Sequence, residues 1–415
     1  MAFLICGGVP LVGEIRAQGA KNAVLPMLFA SLLCEGGVTL YGVPQIGDVG
    51  VALSLLTQMG VAVSHGGDGS VTLDARAASA PTYALADAAA IRASAYLLGA
   101  SLFRFGEGAI PYPGGCSFGK RPLDYHKNAF LALGAEWEED ETGIRVRGRH
   151  LHGARFSLPY PSVGATVNFI LAALCAEGES VLYGFAREGH VMDLVAFLQR
   201  MGAFIRPEGN ALYIRGKCPL AGLSYTVPPD AVEAGTYLIA AAATGGEVTV
   251  RGVRYGEISP LLLCFGEMGV PFRFLGDAVT VYPARHLRGT SVSAAPYPGF
   301  PTDLHPPLTV LLSRTAGGVI CDLVWHDRFS YVNELEKMGL CACCSKGSVR
   351  VRQSCLQGAT VTAPDLRGGA ALVTAALVAR GESVIRGEHL IARGYEGFAE
   401  KLYRLGANIR ISAEP

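Results

Sequence analysis

Charge is scarce in this chain and evenly divided. Only 17% of the 415 residues are Asp, Glu, Lys or Arg, and 35 basic side chains face 35 acidic ones. No basic tail or run of like charge is present, which excludes the electrostatic footprint of nucleic-acid or anionic-membrane binding. An anionic ligand must instead be met by a few placed arginines. Long apolar runs are also lacking, although the mean hydropathy is +0.32. Val24–Cys34, Phe169–Cys175 and Ala371–Ala379 fall far short of the roughly 20 residues of a membrane span. They read as helices buried on all sides. Met1–Gly13 has no basic n-region and runs straight into a strand pattern, so no signal peptide is expected. The 11 cysteines are odd in number and sit mostly in apolar segments. That is a poor disulfide framework and points to reduced thiols in a cytoplasmic protein.

What is plentiful is hydrophobic side chain, at 50% of the sequence. Such a chain can bury large cores and is not intrinsically disordered. Its length predicts two to four domains.

The sequence repeats itself. A helical stretch ending in Met-Gly or Leu-Gly, followed by strand, turn and strand, recurs at Gly60, Gly134, Gly202, Gly269, Gly339 and Gly406. The copies lie roughly 70 residues apart. Each glycine stands where a helix C′ residue takes a left-handed conformation. The other half of each unit is a buried-helix run, a Gly turn and a strand, as in Phe169–Leu182, Tyr237–Val250 and Leu372–Ile385. Six βαβαββ-like units follow. After Leu405-Gly406 the last copy has one strand left, and the segment from Phe3 to Arg16 resembles the missing remainder, matching Val349–Thr362. The N-terminus is therefore expected to complete the sixth unit. Three units per domain give one domain over 21–228 and another over 1–20 plus 229–415, crossing at Pro228-Pro229.

One loop stands out chemically. Gly114-Gly115-Cys116-Ser117-Phe118-Gly119-Lys120-Arg121-Pro122 places a cysteine in a polar, Gly-rich setting, with two cations within five residues of it. Glycines let backbone N–H groups approach an anion, and nearby cations favour thiolate. The pattern nearly matches a phosphate-binding loop, but Arg121 stands where Ser or Thr should hold Mg²⁺, and no hydrophobic strand is read leading directly into it. Cys341, Cys343, Cys344 and Cys355 match no common zinc spacing. Three of them are expected on the strand after Met338-Gly339, as ordinary thiols.

Further segments are Gly19-Ala20-Lys21-Asn22-Ala23, Ile91-Arg92-Ala93-Ser94, Arg121-Pro122-Leu123-Asp124, Pro161–Thr166, Phe300-Pro301-Thr302-Asp303, Asp327-Arg328-Phe329, Asp365-Leu366-Arg367 and Ala392–Glu396. In this order, through the whole chain, they resemble the enolpyruvyl transferase family, on its sugar-nucleotide branch. The resemblance implies an α/β fold of two inside-out barrel domains, helices inside and sheets outside, with the active site in the cleft between them. It implies transfer of the enolpyruvyl group of phosphoenolpyruvate to the 3′-hydroxyl of UDP-N-acetylglucosamine, with release of phosphate, as the first committed step of peptidoglycan precursor synthesis. Cys116 is implied as general acid and possible covalent nucleophile, and Asp303 as the base or orienting group for the hydroxyl. Lys21, Arg121 and Arg393 are implied to grip phosphoenolpyruvate, with Asn22 positioning the substrates and Arg328 and Arg367 adding to the cationic set. Arg92, Arg121, Pro122, Leu123, Asp124, Tyr125, Ser162, Val163, Gly164 and Val324 are implied to face the nucleotide sugar.

No sequence feature demands a metal or a cofactor, and a cytoplasmic monomer is expected. With Lys21 at the crossover, Cys116 in one domain and Asp303 and Arg393 in the other, the domains are expected to close on their ligands. The sequence departs from the family pattern at Ala231, where Arg is usual, and at Leu304-His305, where Met-Gln is expected. Tyr160 and Gly189-His190 also differ. His305, beside Asp303, could tune the site or simply be packed. A related enzyme acting on shikimate 3-phosphate and a non-catalytic sugar-nucleotide sensor are the other readings. The retention of Lys21, Cys116, Asp303 and Arg393 together disfavours the sensor.

Overall fold

A computed structural model describes residues 1–79, 85–114 and 122–413. Six small sheets account for the named strands, and five of them combine a parallel pair with antiparallel pairing in the same four-stranded pattern. In one of them Arg155–Ser157 runs parallel to Glu179–Tyr183, which pairs antiparallel with Ala211–Arg215, itself paired with Phe204–Glu208. With helices Val163–Ala173 and Gly189–Met201 between the strands, this is the expected βαβαββ unit. The sheet of Glu107–Ile110, Gly143–Arg147 and Glu136–Asp140 has three strands among the described residues.

The N-terminal strand Ala2–Cys6 lies between Glu382–Arg386 and Asn408–Ser412, with Leu4 opposite both Val384 and Arg410. It completes the sixth unit. The next strand, Val12–Arg16, opens the fourth unit by pairing parallel with Glu247–Arg251. The six glycines that close the helices all have positive φ, from 74° at Gly269 to 111° at Gly202. A side chain there would be strained, which explains why the repeat carries glycine.

The chain divides into two compact units. One comprises Met1–Gln18 with Pro229–Pro415, and the other the described residues of 19–228. Each has three sheets around three helices that pack on one another. In the second these are Lys21–Ala30, Tyr96–Phe105 and Val163–Ala173; in the first, Ala231–Thr244, His305–Ser313 and Leu366–Val378. Every residue from Ala165 to Ala173, and from Leu366 to Leu377, is buried. A helix apolar on all faces has no stripe to give to water, so the sheets close around it. Pro306 and Pro307 sit at the start of their helix, where a missing N–H costs nothing.

A strand, Glu107–Ile110, lies upstream of the Gly-rich loop but is separated from it by Pro111–Pro113, and its Gly108 and Ala109 give no apolar alternation. One detail differs from the sequence reading. Only Cys343 and Cys344 lie on the strand Ala342–Ser345; Cys341 precedes it, and all three are exposed, as is Cys355. No helix among the described residues is long and apolar enough to cross a membrane.

Candidate active site

In the unit of residues 229–415, Asp303 lies in the turn Thr302–Leu304, which leads into the helix His305–Ser313. Its Oδ1 accepts from Arg328 Nη1 at 2.7 Å, and its Oδ2 from Arg367 Nε at 3.1 Å. Both guanidiniums are buried, at 4% and 2% exposure. Burial alone would raise the Asp303 carboxyl, but the two arginines outweigh it and hold the group well below the usual carboxylate range. The same Arg328 Nη1 donates to Thr302 Oγ1 at 3.1 Å. Arg367 begins the buried helix Leu366–Val378, where Asp365 caps the backbone by accepting from Arg367 N and Gly368 N. Its guanidinium also lies 5.1 Å from the centre of the Tyr395 ring.

Behind this group lies a polar network that the sequence did not disclose. Asp322 Oδ2 accepts from Thr302 Oγ1 at 2.6 Å and meets His305 Nε2 at 3.0 Å. Its Oδ1 accepts from Val324 N and Trp325 N, which fixes the backbone at Val324. His305 is fully buried, with Nδ1 3.2 Å from the Tyr331 hydroxyl, which also bonds Thr309 Oγ1 at 2.7 Å. Burial holds the imidazole below its ordinary pKa even though Asp322 favours its charged form. His305 is thus packed and tied to the groups around Asp303. Truncation by His305→Ala would leave Asp322 and Tyr331 short of a partner. A loss of about 2–4 kcal/mol in urea-unfolding free energy is expected.

Arg393 sits half-buried in the stretch between helices Glu388–Ile391 and Phe398–Arg404. Next to it in the sequence, Gly394 and Tyr395 are buried, and the Tyr395 hydroxyl bonds Thr236 Oγ1 at 2.8 Å. Beneath this stretch Glu233, fully buried, accepts from Lys401 Nζ at 2.5 Å and from Gln18 N at 2.6 Å. Burial pushes its carboxyl up to about 7, against the pull of Lys401. A raised carboxyl contributes stability that is complete below its unfolded pKa and is lost as pH rises through the folded value. Wild-type unfolding free energy should therefore fall by up to about 3 kcal/mol between roughly pH 4 and pH 7 through this group. Glu233→Gln should flatten that stretch of the urea-melt series.

The unit of residues 19–228 holds the remaining described positions. Lys21 opens the helix Lys21–Ala30 and pairs with Asp48 at 2.8 Å, both largely buried. Asn22 follows it on the same helix. Arg92 begins a short 3₁₀ turn, and its Nη1 is 3.4 Å from Pro113 O. Pro122 and Leu123 lead into the helix Asp124–Ala132, which carries Asp124 and Tyr125. Ser162 caps the helix Val163–Ala173 by accepting from Ala165 N at 3.3 Å. That N-terminus, with Val163 and Gly164 in its first turn, favours negative charge.

Sequence reasoning missed His126. A Cβ on Gly164 would come within 2.7 Å of His126 Nε2, so the helix tolerates only glycine against this ring. Asn168 Nδ2 lies 2.8 Å from His126 Nδ1. As the amide nitrogen donates, the ring accepts at Nδ1 and carries its proton on Nε2. Burial, with Arg92 adding to it, lowers its pKa to about 3. Cys116 and Arg121, with the rest of 115–121, lie outside the described residues.

Residues 5–402 match the family model described as EPSP synthase (3-phosphoshikimate 1-carboxyvinyltransferase). The chain is 41% identical to the UDP-N-acetylglucosamine 1-carboxyvinyltransferase of Halothermothrix orenii, over 98% of this chain and 99% of that protein. It is 42% identical to UDP-N-acetylglucosamine 1-carboxyvinyltransferase 3 of Symbiobacterium thermophilum, over 99% and 98% respectively. The chain belongs to the enolpyruvyl transferase family. Among solved structures, the enolpyruvyl transferase NikO from Streptomyces tendae superposes with a TM-score of 0.91 at 25% identity, covering 100% of this chain and 99% of that one. EPSP synthase from Acinetobacter baumannii shares the fold, with a TM-score of 0.78 at 22% identity over the full length of both chains. Membership makes the chain an enzyme of two inside-out α/β barrels, and accounts for six sheets wrapped around buried helices.

Proposed function

We propose that this enzyme transfers the enolpyruvyl group of phosphoenolpyruvate to the 3′-hydroxyl of UDP-N-acetylglucosamine and releases phosphate, in the cytoplasm and as a monomer. The product would enter peptidoglycan precursor synthesis. The observation that carries the reading is full-length similarity, at about 40% identity, to several enzymes bearing that activity in their names.

The chemistry assigns tasks to the residues. A proton delivered to the methylene carbon of phosphoenolpyruvate makes its neighbouring carbon electrophilic, and Cys116 is the donor in this proposal. The sugar hydroxyl adds there and gives up its own proton. Loss of phosphate and of one methyl proton then restores the double bond. Asp303 orients and polarises the hydroxyl: with its pKa held down by Arg328 and Arg367 it is a weak base but a permanently charged acceptor. Lys21 and Arg393 grip phosphate and carboxylate, Arg by a planar fork and Lys as a point charge. The helix N-terminus at Ser162–Gly164, with Arg92, suits the diphosphate of the nucleotide.

The test is phosphate release by the purified protein. Release that requires both phosphoenolpyruvate and UDP-N-acetylglucosamine is expected. Release with shikimate 3-phosphate in place of the sugar nucleotide would assign a different acceptor, and binding of the sugar nucleotide without turnover would indicate a sensor.

A further inference from the structure

The stretch that carries Arg393 is fastened by a residue far away in the sequence. Gln18 is buried, and both ends of its amide grip this stretch: Nε2 donates to Gly394 O at 2.8 Å, and Oε1 accepts from Glu396 N at 2.6 Å. A carbonyl and an N–H two residues apart are thus held as a strand partner would hold them, with Tyr395 between. Gln18 is itself fixed. Its backbone N–H donates to Glu233 Oε2 at 2.6 Å, and its carbonyl accepts from Asp230 N at 2.8 Å. Glu233 is anchored in turn by Lys401. The Tyr395 ring faces Arg367, whose Nε donates to Asp303. One hydrogen-bonded path therefore joins Gln18 to the backbone beside Arg393, and that backbone reaches the Asp303 group through Tyr395.

We propose that Gln18 is a positioning residue for Arg393, setting the guanidinium that grips phosphoenolpyruvate. This rests on the function proposed above. A glutamine side chain supplies a donor and an acceptor in one plane, and only that pair satisfies Gly394 O and Glu396 N at once. Removing both bonds while keeping the volume frees the backbone next to Arg393 and leaves the other substrate's groups untouched.

The test uses Gln18→Met, which keeps the shape, and Gln18→Glu, which keeps the acceptor but loses the donor. Phosphate release is titrated with phosphoenolpyruvate at saturating UDP-N-acetylglucosamine, and sugar-nucleotide affinity is measured separately by calorimetry. For Gln18→Met, a rise in KM for phosphoenolpyruvate of about tenfold is expected, with sugar-nucleotide Kd changed by less than about twofold. Gln18→Glu should shift KM in the same direction. Combined with Arg393→Lys, Gln18→Met should add little to the KM of Arg393→Lys alone, since both act through one group. An unchanged KM in either folded variant, an equal loss of sugar-nucleotide affinity, or full additivity overturns the proposal. If the wild type releases no phosphate, the functional reading fails, and phosphoenolpyruvate binding by calorimetry then decides this one separately. Weaker binding by Gln18→Met supports it, whereas equal binding, or none by the wild type, overturns it.

Discussion

Asp303→Ala should lower the free energy of unfolding by about 3–5 kcal/mol, because it strips the shared carboxylate from two buried guanidiniums. Arg328 and Arg367 are almost without solvent, and each directs a hydrogen bond at Asp303. With the carboxylate gone, two like charges remain in a poorly solvated place with less to neutralise them. The cost is that of stranded charge, which is larger than the net worth of an intact pair. Asp303→Asn keeps the shape and one acceptor oxygen, so its loss should be smaller. The pH dependence gives a second check. The folded carboxyl lies below its unfolded value, so its contribution is complete above the unfolded pKa and is lost as pH falls toward the folded one. The gap between wild type and Asp303→Ala in urea melts should be constant near neutrality and narrow below about pH 4. A gap that stays constant into acid would mean that the arginines are neutralised by something else. Turnover should fall by about 10²–10⁴-fold, the range associated with a positioned acid or base. A variant as stable as the wild type, or fully active, would contradict the role given to this group.

The parts that could be read from the sequence were those with a local signature. Apolar runs without polar interruption marked the buried helices, because a helix with no hydrophilic face has to be enclosed. The Met-Gly and Leu-Gly pairs marked helix ends, and all six glycines have the left-handed backbone such an end requires. The strand at Ala2–Cys6 was legible only because the last repeat lacked a partner for Asn408–Ser412. Glu107–Ile110 was not legible, since a four-residue strand containing glycine and alanine shows no alternation. The site's supports were hidden for another reason. Asp48 beside Lys21, Asp322 beside His305, and Gln18 beside Gly394 and Glu396 pair across many residues of chain. No spacing in a single sequence encodes such a pair. Family resemblance supplied the residues proposed to touch substrate, whereas the structure supplied the residues that hold Asp303 and the Arg393 stretch in place.

Cys116→Ala should reduce phosphate release by about 10²–10⁴-fold while leaving UDP-N-acetylglucosamine affinity within about twofold of wild type. The argument starts from what the reaction needs. The methylene carbon of an enol phosphate is a poor proton acceptor in water, so a donor has to be placed against it. In the proposed assignment the donor is a thiol in a loop with Lys120 and Arg121 close in sequence. An isolated thiol with a pKa near 8.5 is mostly protonated at neutral pH, and cations beside it lower that value toward neutrality. A donor in that range gives up its proton readily and can regain it from solvent. Alanine keeps the backbone and removes only the S–H, so the sugar-nucleotide binding proposed for Arg92 and Ser162–Gly164 should be preserved. The loss should fall on kcat more than on KM, which is the mark of an interaction made mainly in the transition state. Cys116→Ser tests whether any O–H suffices. A hydroxyl of much higher pKa donates poorly, so serine should stay within about tenfold of the alanine variant. The same loss confined to KM would make Cys116 a binding group, and undiminished turnover in Cys116→Ala would assign the proton to another residue of the chain.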